Sequence, residues 1–146
     1  MILDQCSKLW ATRALMPIRE IDLIDGIFTL TYVRNRGVAF GLLQGTGMAI
    51  AMITIIVIGW AIWWAFQRPR LARIEIWALG LVTGGSLGNL IDRIRLGYVV
   101  DFFDFQVWPV FNVADICICT AAALWMYQIW QQERQAKKPV KAKRKR

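Results

Sequence analysis

The chain divides by polarity before it divides by anything else. From Met48 to Phe66 nineteen consecutive positions are apolar or small, with Thr54 the single hydroxyl among them. As a helix that stretch is long enough to cross a hydrocarbon core of about 30 Å. Residues 110–130 form a second run, in which only Asn112, Asp115, Thr120 and Gln128 are clearly polar. Residues 74–91 form a third, thinner because it carries Glu75, Gly84, Gly85, Ser86, Gly88 and Asn89. The pattern predicts three membrane-spanning helices.

The remaining segments read differently. Residues 4–20 mix polar and apolar positions and end near Pro17, and Phe28 to Val33 alternates β-branched and aromatic residues with others, which predicts short strands outside the spans. Gly37, Gly41, Gly45 and Gly47 punctuate the approach to the first full span. In the 74–91 run Gly80, Gly84 and Gly88 repeat at i, i+4, with Asp92 next in the row, a spacing that lets another helix approach closely. Trp60, Trp63, Trp64, Trp125 and Trp130 read as interfacial or lipid-facing aromatics. No internal repeat is present.

Composition sharpens this to an integral membrane protein of one domain, since 57% of the 146 residues are hydrophobic and only 19% charged. The net charge of +8 invites a nucleic-acid reading, but residues 131–146 hold eight Lys or Arg against one Glu, so the rest of the chain is nearly neutral. The tail reads as a solvated extension that fixes orientation and touches anionic lipid headgroups, and no nucleic acid is expected as a partner. Arg68, Arg70 and Arg73 crowd the link between the first two spans; with the tail they place that end in the cytoplasm and turn residues 1–47 and 92–109 outward.

The absence of His excludes a Ser-His-Asp triad and leaves no Zn-site pattern; Cys6, Cys117 and Cys119 form no disulfide framework, and Cys117 and Cys119 point to different sides of a helix. No cleavable signal peptide is recognisable at Met1. The chemistry then falls to polar residues at membrane depth, which cost at least about 2.5–3.5 kcal/mol each to insert when ionised and so face an interior or a watery cavity. Asn89, Asp92 and Arg93 share a helix face at i, i+3 and i+4, where Asp92 and Arg93 serve either a site or the helix end. Asn112 and Asp115 stand on the opening turn of the last span, where a carboxylate is also favoured by the helix dipole. Asp101 and Asp104 fall in the outward loop, flanked by Phe. Two carboxylates sharing a partly desolvated site cannot both ionise easily, so one keeps a proton and the pair is acid and base at once. A carboxylate pair is the one catalytic constellation on offer.

The segments "LDQCSK" (3–8), "RNRGVAFGLL" (34–43), "GGSLGNLIDRIRLGYVVDF" (84–102) and "FNVADICI" (111–118), in that order, resemble the lipoprotein signal peptidases, or signal peptidase II. The resemblance covers nearly the whole chain. It implies an all-α integral membrane bundle of four-span architecture, its first span shortened here, with a small outward-facing β-cradle. It divides a single peptidase domain into residues 1–47 (first span remnant and cradle), spans 48–66, 74–91 and 110–130, and the cytoplasmic tail 131–146. It implies a bacterial inner-membrane aspartic endopeptidase that removes the signal peptide from prolipoproteins just before the diacylglyceryl-modified cysteine, with its site toward the periplasm. The catalytic pair carried over is Asp101 and Asp115. Asn35, Gly37, Asn89, Arg93 and Asn112 match positions that line the site and hold substrate or the cyclic peptide inhibitor globomycin, Asp4 and Lys8 match the outward end of the first span, and Asp92 belongs to the supporting network. Neither a metal nor another cofactor is expected, and the expected state is a monomer.

Three residues precede the Asp4-Gln5 pair where the family has a full apolar span, so Met1 reads as an internal start, with about 12–20 further apolar codons upstream. Val38 and Ser86 stand where the family usually has Ala, and the loop joining Asp101 to Asp115 is short. The rival from another class is a small proton- or ion-conducting subunit using the same acids as a relay. A relay spreads its acids through the depth of the spans, whereas Asp101 and Asp115 gather at one end.

Overall fold

A computed structural model describes residues 1–37 and 47–136; Val38, Gly41, Gly45 and the basic tail from residue 137 onward lie outside the described residues. The elements in chain order are α1 (Ile2–Ala14), β1 (Glu20–Ile24), β2 (Phe28–Asn35), α2 (Gly47–Phe66), α3 (Arg73–Leu96), β3 (Val99–Asp104) and α4 (Val113–Ala136). Three of them, Met48–Phe66, Arg73–Leu96 and Val113–Ala136, are long and apolar enough to cross a membrane. Their outward side chains, Ile53, Ile56 and Trp60 among them, are exposed hydrocarbon, as a lipid-facing surface requires. Both α2 and α4 pack on α3, which is therefore the central helix of the bundle.

Residues 2–14, read as a mixed stretch, are helical because Asp4, Lys8 and Ala11 recur at i, i+4 and i+7 and all three are buried. The helix is inverted relative to a water-soluble one: its charged stripe faces the protein while Ile2, Leu3 and Leu9 are exposed. Ala11 and Leu15 form a core cluster with Val100 and Phe102 of β3, so α1 docks against the strand that carries Asp101.

The strands form one antiparallel sheet in the order β1-β2-β3. Gly26, at φ 65°, closes the β1–β2 hairpin in a conformation that costs glycine no Cβ clash. Gly97, at φ 77°, ends α3 in the left-handed region and returns its N–H to Arg93 O at 3.0 Å, turning the chain from helix into β3. Asp101 and Asp104, expected in a loop, therefore lie on a strand. Val99 to Phe102 are all buried, so β3 shows none of the alternation that marks a half-exposed strand. Phe111 then returns to β3: its carbonyl accepts from the N–H groups of Phe102 and Phe103 at 3.0 and 2.9 Å, and its own N–H donates to Phe103 O at 3.0 Å. Stacking of Phe105 on Phe28 and Phe111, with centroids 4.7 and 5.8 Å apart, packs this short return.

The glycine row needs one correction. A Cβ on Gly80 would meet nothing, and one on Gly84 only Met1 N at 3.6 Å. The close approaches are at Gly85, where a Cβ would fall 2.6 Å from Ala114 O, and at Gly88, where it would run into the Asp4 carboxylate. The tight row thus follows the α3 face that meets α1 and α4.

Candidate active site

Where the C-terminal half of α3, the start of α4, α1 and β3 converge, nine polar side chains form one connected cluster. Asp101 is 2% exposed although it carries a carboxyl group. Its Oδ2 accepts from Asn35 Nδ2 at 2.8 Å, a bond set up by the β2–β3 register that pairs Val33 with Asp101 and Asn35 with Val99. Its Oδ1 accepts from Asn112 Nδ2 at 2.6 Å. Burial pushes the Asp101 carboxyl up to about 7; the Asn35 amide opposes that rise, the charge on Asp115 adds to it, and the Asn112 amide opposes it.

Asp115 sits in the first turn of α4, with Oδ1 accepting from Asn89 Nδ2 at 2.8 Å and Oδ2 from the Asn112 backbone N–H at 3.1 Å. Asn112 is fully buried and meets Asp101, Asn89 and Asp115: its amide group also donates to Asn89 Oδ1 at 3.1 Å, and its Oδ1 accepts from the Asp115 N–H at 3.1 Å. Asn112 therefore joins the two aspartates, its side-chain NH2 on the Asp101 carboxyl and its backbone N–H on the Asp115 carboxyl.

Behind this row lies an ionic layer. Lys8 Nζ stands 3.0 Å from Asp4 Oδ2 and 3.1 Å from Asp92 Oδ2, and donates to Asn89 Oδ1 at 2.8 Å. Asp4 Oδ1 accepts from Ala114 N–H at 2.9 Å, placing a carboxylate on the positive end of α4. Asp92 Oδ2 also accepts from Val100 N–H at 3.1 Å, so Asp92 ties α3 to β3 rather than capping its own helix. Arg93 reaches across to Gly37 O at 3.4 Å and so links α3 to the end of β2.

In front of the aspartates is a cleft of about 350 Å³. Asn35, Gly37, Asn89, Arg93, Asp101 and Asp115 all line it, with Val99, Trp108 and Ile118 supplying apolar wall. Asp4, Lys8 and Asp92 lie behind it and Asn112 between. All ten residues singled out from the sequence thus fall in one region; Asp104, at the far end of β3, accepts from the Gln106 N–H at 2.8 Å instead. Reading the sequence missed Gln5, whose Nε2 donates to Asp92 Oδ1 at 2.9 Å and Gly88 O at 3.1 Å, although its place beside Asp4 was a signal. It also passed over Ser86, whose hydroxyl inside an apolar run was a signal, and Trp108, for which no local signal existed. Among the described residues no three His, Cys, Asp or Glu side chains are grouped to hold a metal ion.

A connected polar cluster beside a largely apolar cleft, at one end of a bundle of helices long and apolar enough to span a membrane, marks a membrane protein with a candidate active site. Residues 1–131 match the family model described as Signal peptidase (SPase) II. The lipoprotein signal peptidase of Halothermothrix orenii is 44% identical over 133 residues, covering 91% of this chain and 91% of that protein. That of Caldanaerobacter subterraneus subsp. tengcongensis is 45% identical over 126 residues, covering 86% of each. A bacterial membrane enzyme solved by the in meso method at 2.3 Å resolution superposes with a TM-score of 0.83 at 28% identity, covering 95% of this chain and 87% of the other. A second, solved by the same method at 1.9 Å, superposes with a TM-score of 0.73 at 30% identity, covering 88% and 85%. The chain belongs to the signal peptidase II family. It is accordingly a multi-pass membrane protease that removes signal peptides from prolipoproteins.

Proposed function

We propose that the chain is an aspartic endopeptidase in which Asp101 and Asp115 act as one catalytic pair, cutting the prolipoprotein immediately before its diacylglyceryl-modified cysteine. The observation that carries this reading is the pair itself: the buried Asp101 carboxyl and the half-buried Asp115 carboxyl, joined through Asn112 and opening on one cleft, in a chain without His. With its carboxyl raised to about 7, Asp101 still carries a proton in part of the population near neutrality, so one member of the pair can serve as acid while the other serves as base. The ionised member takes a proton from a water, whose oxygen bonds to the scissile carbonyl carbon. The protonated member stabilises the oxygen that gains charge. As the C–N bond breaks, a proton passes to the leaving amine and the pair is restored.

Asn35, Asn89 and Asn112 orient the carboxylates, and Arg93 with Gly37 frames the entry to the cleft, where globomycin also binds. The apolar wall receives residues next to the cut, while the lipid anchor stays in the bilayer. The enzyme works in the bacterial inner membrane with its site toward the periplasm, since the basic Arg68, Arg70 and Arg73 lie at the opposite end of the helices. A relay for protons fits less well, because the two aspartates gather at one end. The test is cleavage of a diacylglyceryl prolipoprotein by the full chain in lipid, with the product's first residue read by mass spectrometry. Release of a fragment beginning with the lipidated cysteine, blocked by globomycin, is the expected result. A different cut site, or cleavage indifferent to Asp101→Asn, refutes it.

A further inference from the structure

Each carboxamide in the cluster has two chemically different ends, and only one way round serves the aspartates. An Asn offers a C=O acceptor and an NH2 donor, whereas an ionised carboxylate accepts only and an ammonium donates only. Asn112 has its orientation set locally, because its Oδ1 accepts the Asp115 N–H at 3.1 Å and its NH2 must then face Asp101 and Asn89. Asn89 has no such local partner. Its Oδ1 is met by Asn112 Nδ2 at 3.1 Å and, more closely, by Lys8 Nζ at 2.8 Å. Turned over, Asn89 would set its NH2 against the Lys8 ammonium and the Asn112 NH2 and its carbonyl against the Asp115 carboxylate, three repulsive contacts, of which the one with the full charge of Lys8 is the closest on the oxygen side.

Lys8 is itself buried and fully partnered. It is 3% exposed, and the three N–H groups of its ammonium face three acceptors: Asp4 Oδ2 at 3.0 Å, Asp92 Oδ2 at 3.1 Å and Asn89 Oδ1. A lysine meant only to neutralise Asp4 and Asp92 has no need of the third contact. We propose that Lys8 is a positioning residue for catalysis: it donates to Asn89 Oδ1 and thereby holds the Asn89 amide with its N–H on Asp115. Asn89 passes this orientation from a charged group on α1 to the carboxylate on α4. The inference rests on Asp115 belonging to the catalytic pair.

Removing Lys8 alone would strand two buried carboxylates, so the test conserves charge. Asp4→Asn with Lys8→Met exchanges one carboxylate and one ammonium for neutral groups, and Asp4→Asn with Lys8→Gln does the same but keeps an N–H donor at position 8. Both are made in the full chain and in an Asn89→Ala background, and kcat and KM are measured on a diacylglyceryl prolipoprotein in lipid. The Met version should lose about tenfold or more in kcat with KM nearly unchanged, the scale expected for a lost charged hydrogen bond. The Gln version should recover most of that loss, and in the Asn89→Ala background the Met change should cost less than about twofold, since residues acting through one another are not additive. A loss that persists without Asn89, a loss confined to KM, no loss in the Met version, or a Gln version as slow as the Met version overturns the proposal. Should the Met version not fold, the same cycle is run with Lys8→Leu: a loss in kcat that vanishes without Asn89 supports the role, and no loss, or one that persists without Asn89, refutes it. An Asp115→Asn arm separates the two readings. If that variant is inactive while the Lys8 changes are silent, only the positioning role falls; if it keeps its activity, the catalytic pair falls with it.

Discussion

Asn112 and Asp115 cap each other: the backbone N–H of each donates to the side chain of the other, both at 3.1 Å. This reciprocal box starts α4 and at the same time fixes the Asp115 carboxylate, so capping and chemistry are served by one arrangement rather than being alternatives. Asn112→Ala should therefore act twice. Loss of the cap costs about 0.5–2 kcal/mol of stability. Loss of the amide also leaves Asp101 Oδ1 without its 2.6 Å donor. Thermal unfolding should show a modest decrease, and turnover a much larger one than stability explains. Equal losses in both would argue against a role at the pair.

The three aspartates should separate cleanly. Asp101→Asn and Asp115→Asn keep size but cannot cycle a proton, and turnover should fall by about 10²–10⁴-fold or more. Asp104 sits at the end of β3 with the Gln106 N–H and Thr31 as partners, and Asp104→Asn should stay within about threefold of the parent. Cleavage rates of the three folded variants decide this; an inactive Asp104→Asn contradicts the assignment.

The pH profile follows from the burial of Asp101. A carboxyl raised to about 7 is protonated below that value and ionised above it, so the one-proton form of the pair is lost as pH rises. Above pH about 7 kcat/KM should fall, approaching tenfold per pH unit as a single proton is lost. A profile flat to pH 9, measured with substrate and lipid held constant, would show that Asp101 does not supply that proton.

Gly85→Ala should be far more damaging than Gly80→Ala on the same helix. Its Cβ would lie 2.6 Å from Ala114 O, a backbone atom at the start of α4, so the helix bearing Asn112 and Asp115 must move. Overpacking of this kind typically costs about 1–3 kcal/mol. Gly80→Ala, whose Cβ meets nothing, is the control and should leave the melting temperature near that of the parent. Equal effects would place the α3–α4 contact elsewhere.

Topology is testable with single cysteines after Cys6, Cys117 and Cys119 are changed to Ser. Val107→Cys, at a site 92% exposed beyond β3, should react with a membrane-impermeant maleimide in intact cells. Arg70→Cys, in the basic link between α2 and α3, should react only once the inner membrane is opened. The reverse pattern would invert the proposed orientation.

Whatever lies in a continuous stretch of the chain was legible from the residues alone. Nineteen apolar positions from Met48 can do little but cross a bilayer, and the order of four polar motifs pointed to the family and to Asp101 and Asp115. Tertiary structure decided whatever depends on the face a residue turns to a distant neighbour. The helix at residues 2–14 was hidden because Asp4 and Lys8 point inward, reversing the polarity that a pattern search expects. Strand β3 was hidden because its faces are covered at Val99 to Phe102, which erases alternation. The tight glycines are Gly85 and Gly88 rather than the row from Gly80, since the face of α3 that meets α1 and α4 is set by packing and not by spacing. The orientation of Asn89 is the furthest from sequence of all: its two ends differ only in hydrogen-bond sense, and partners 23, 26 and 81 positions away, the last a buried lysine, choose between them.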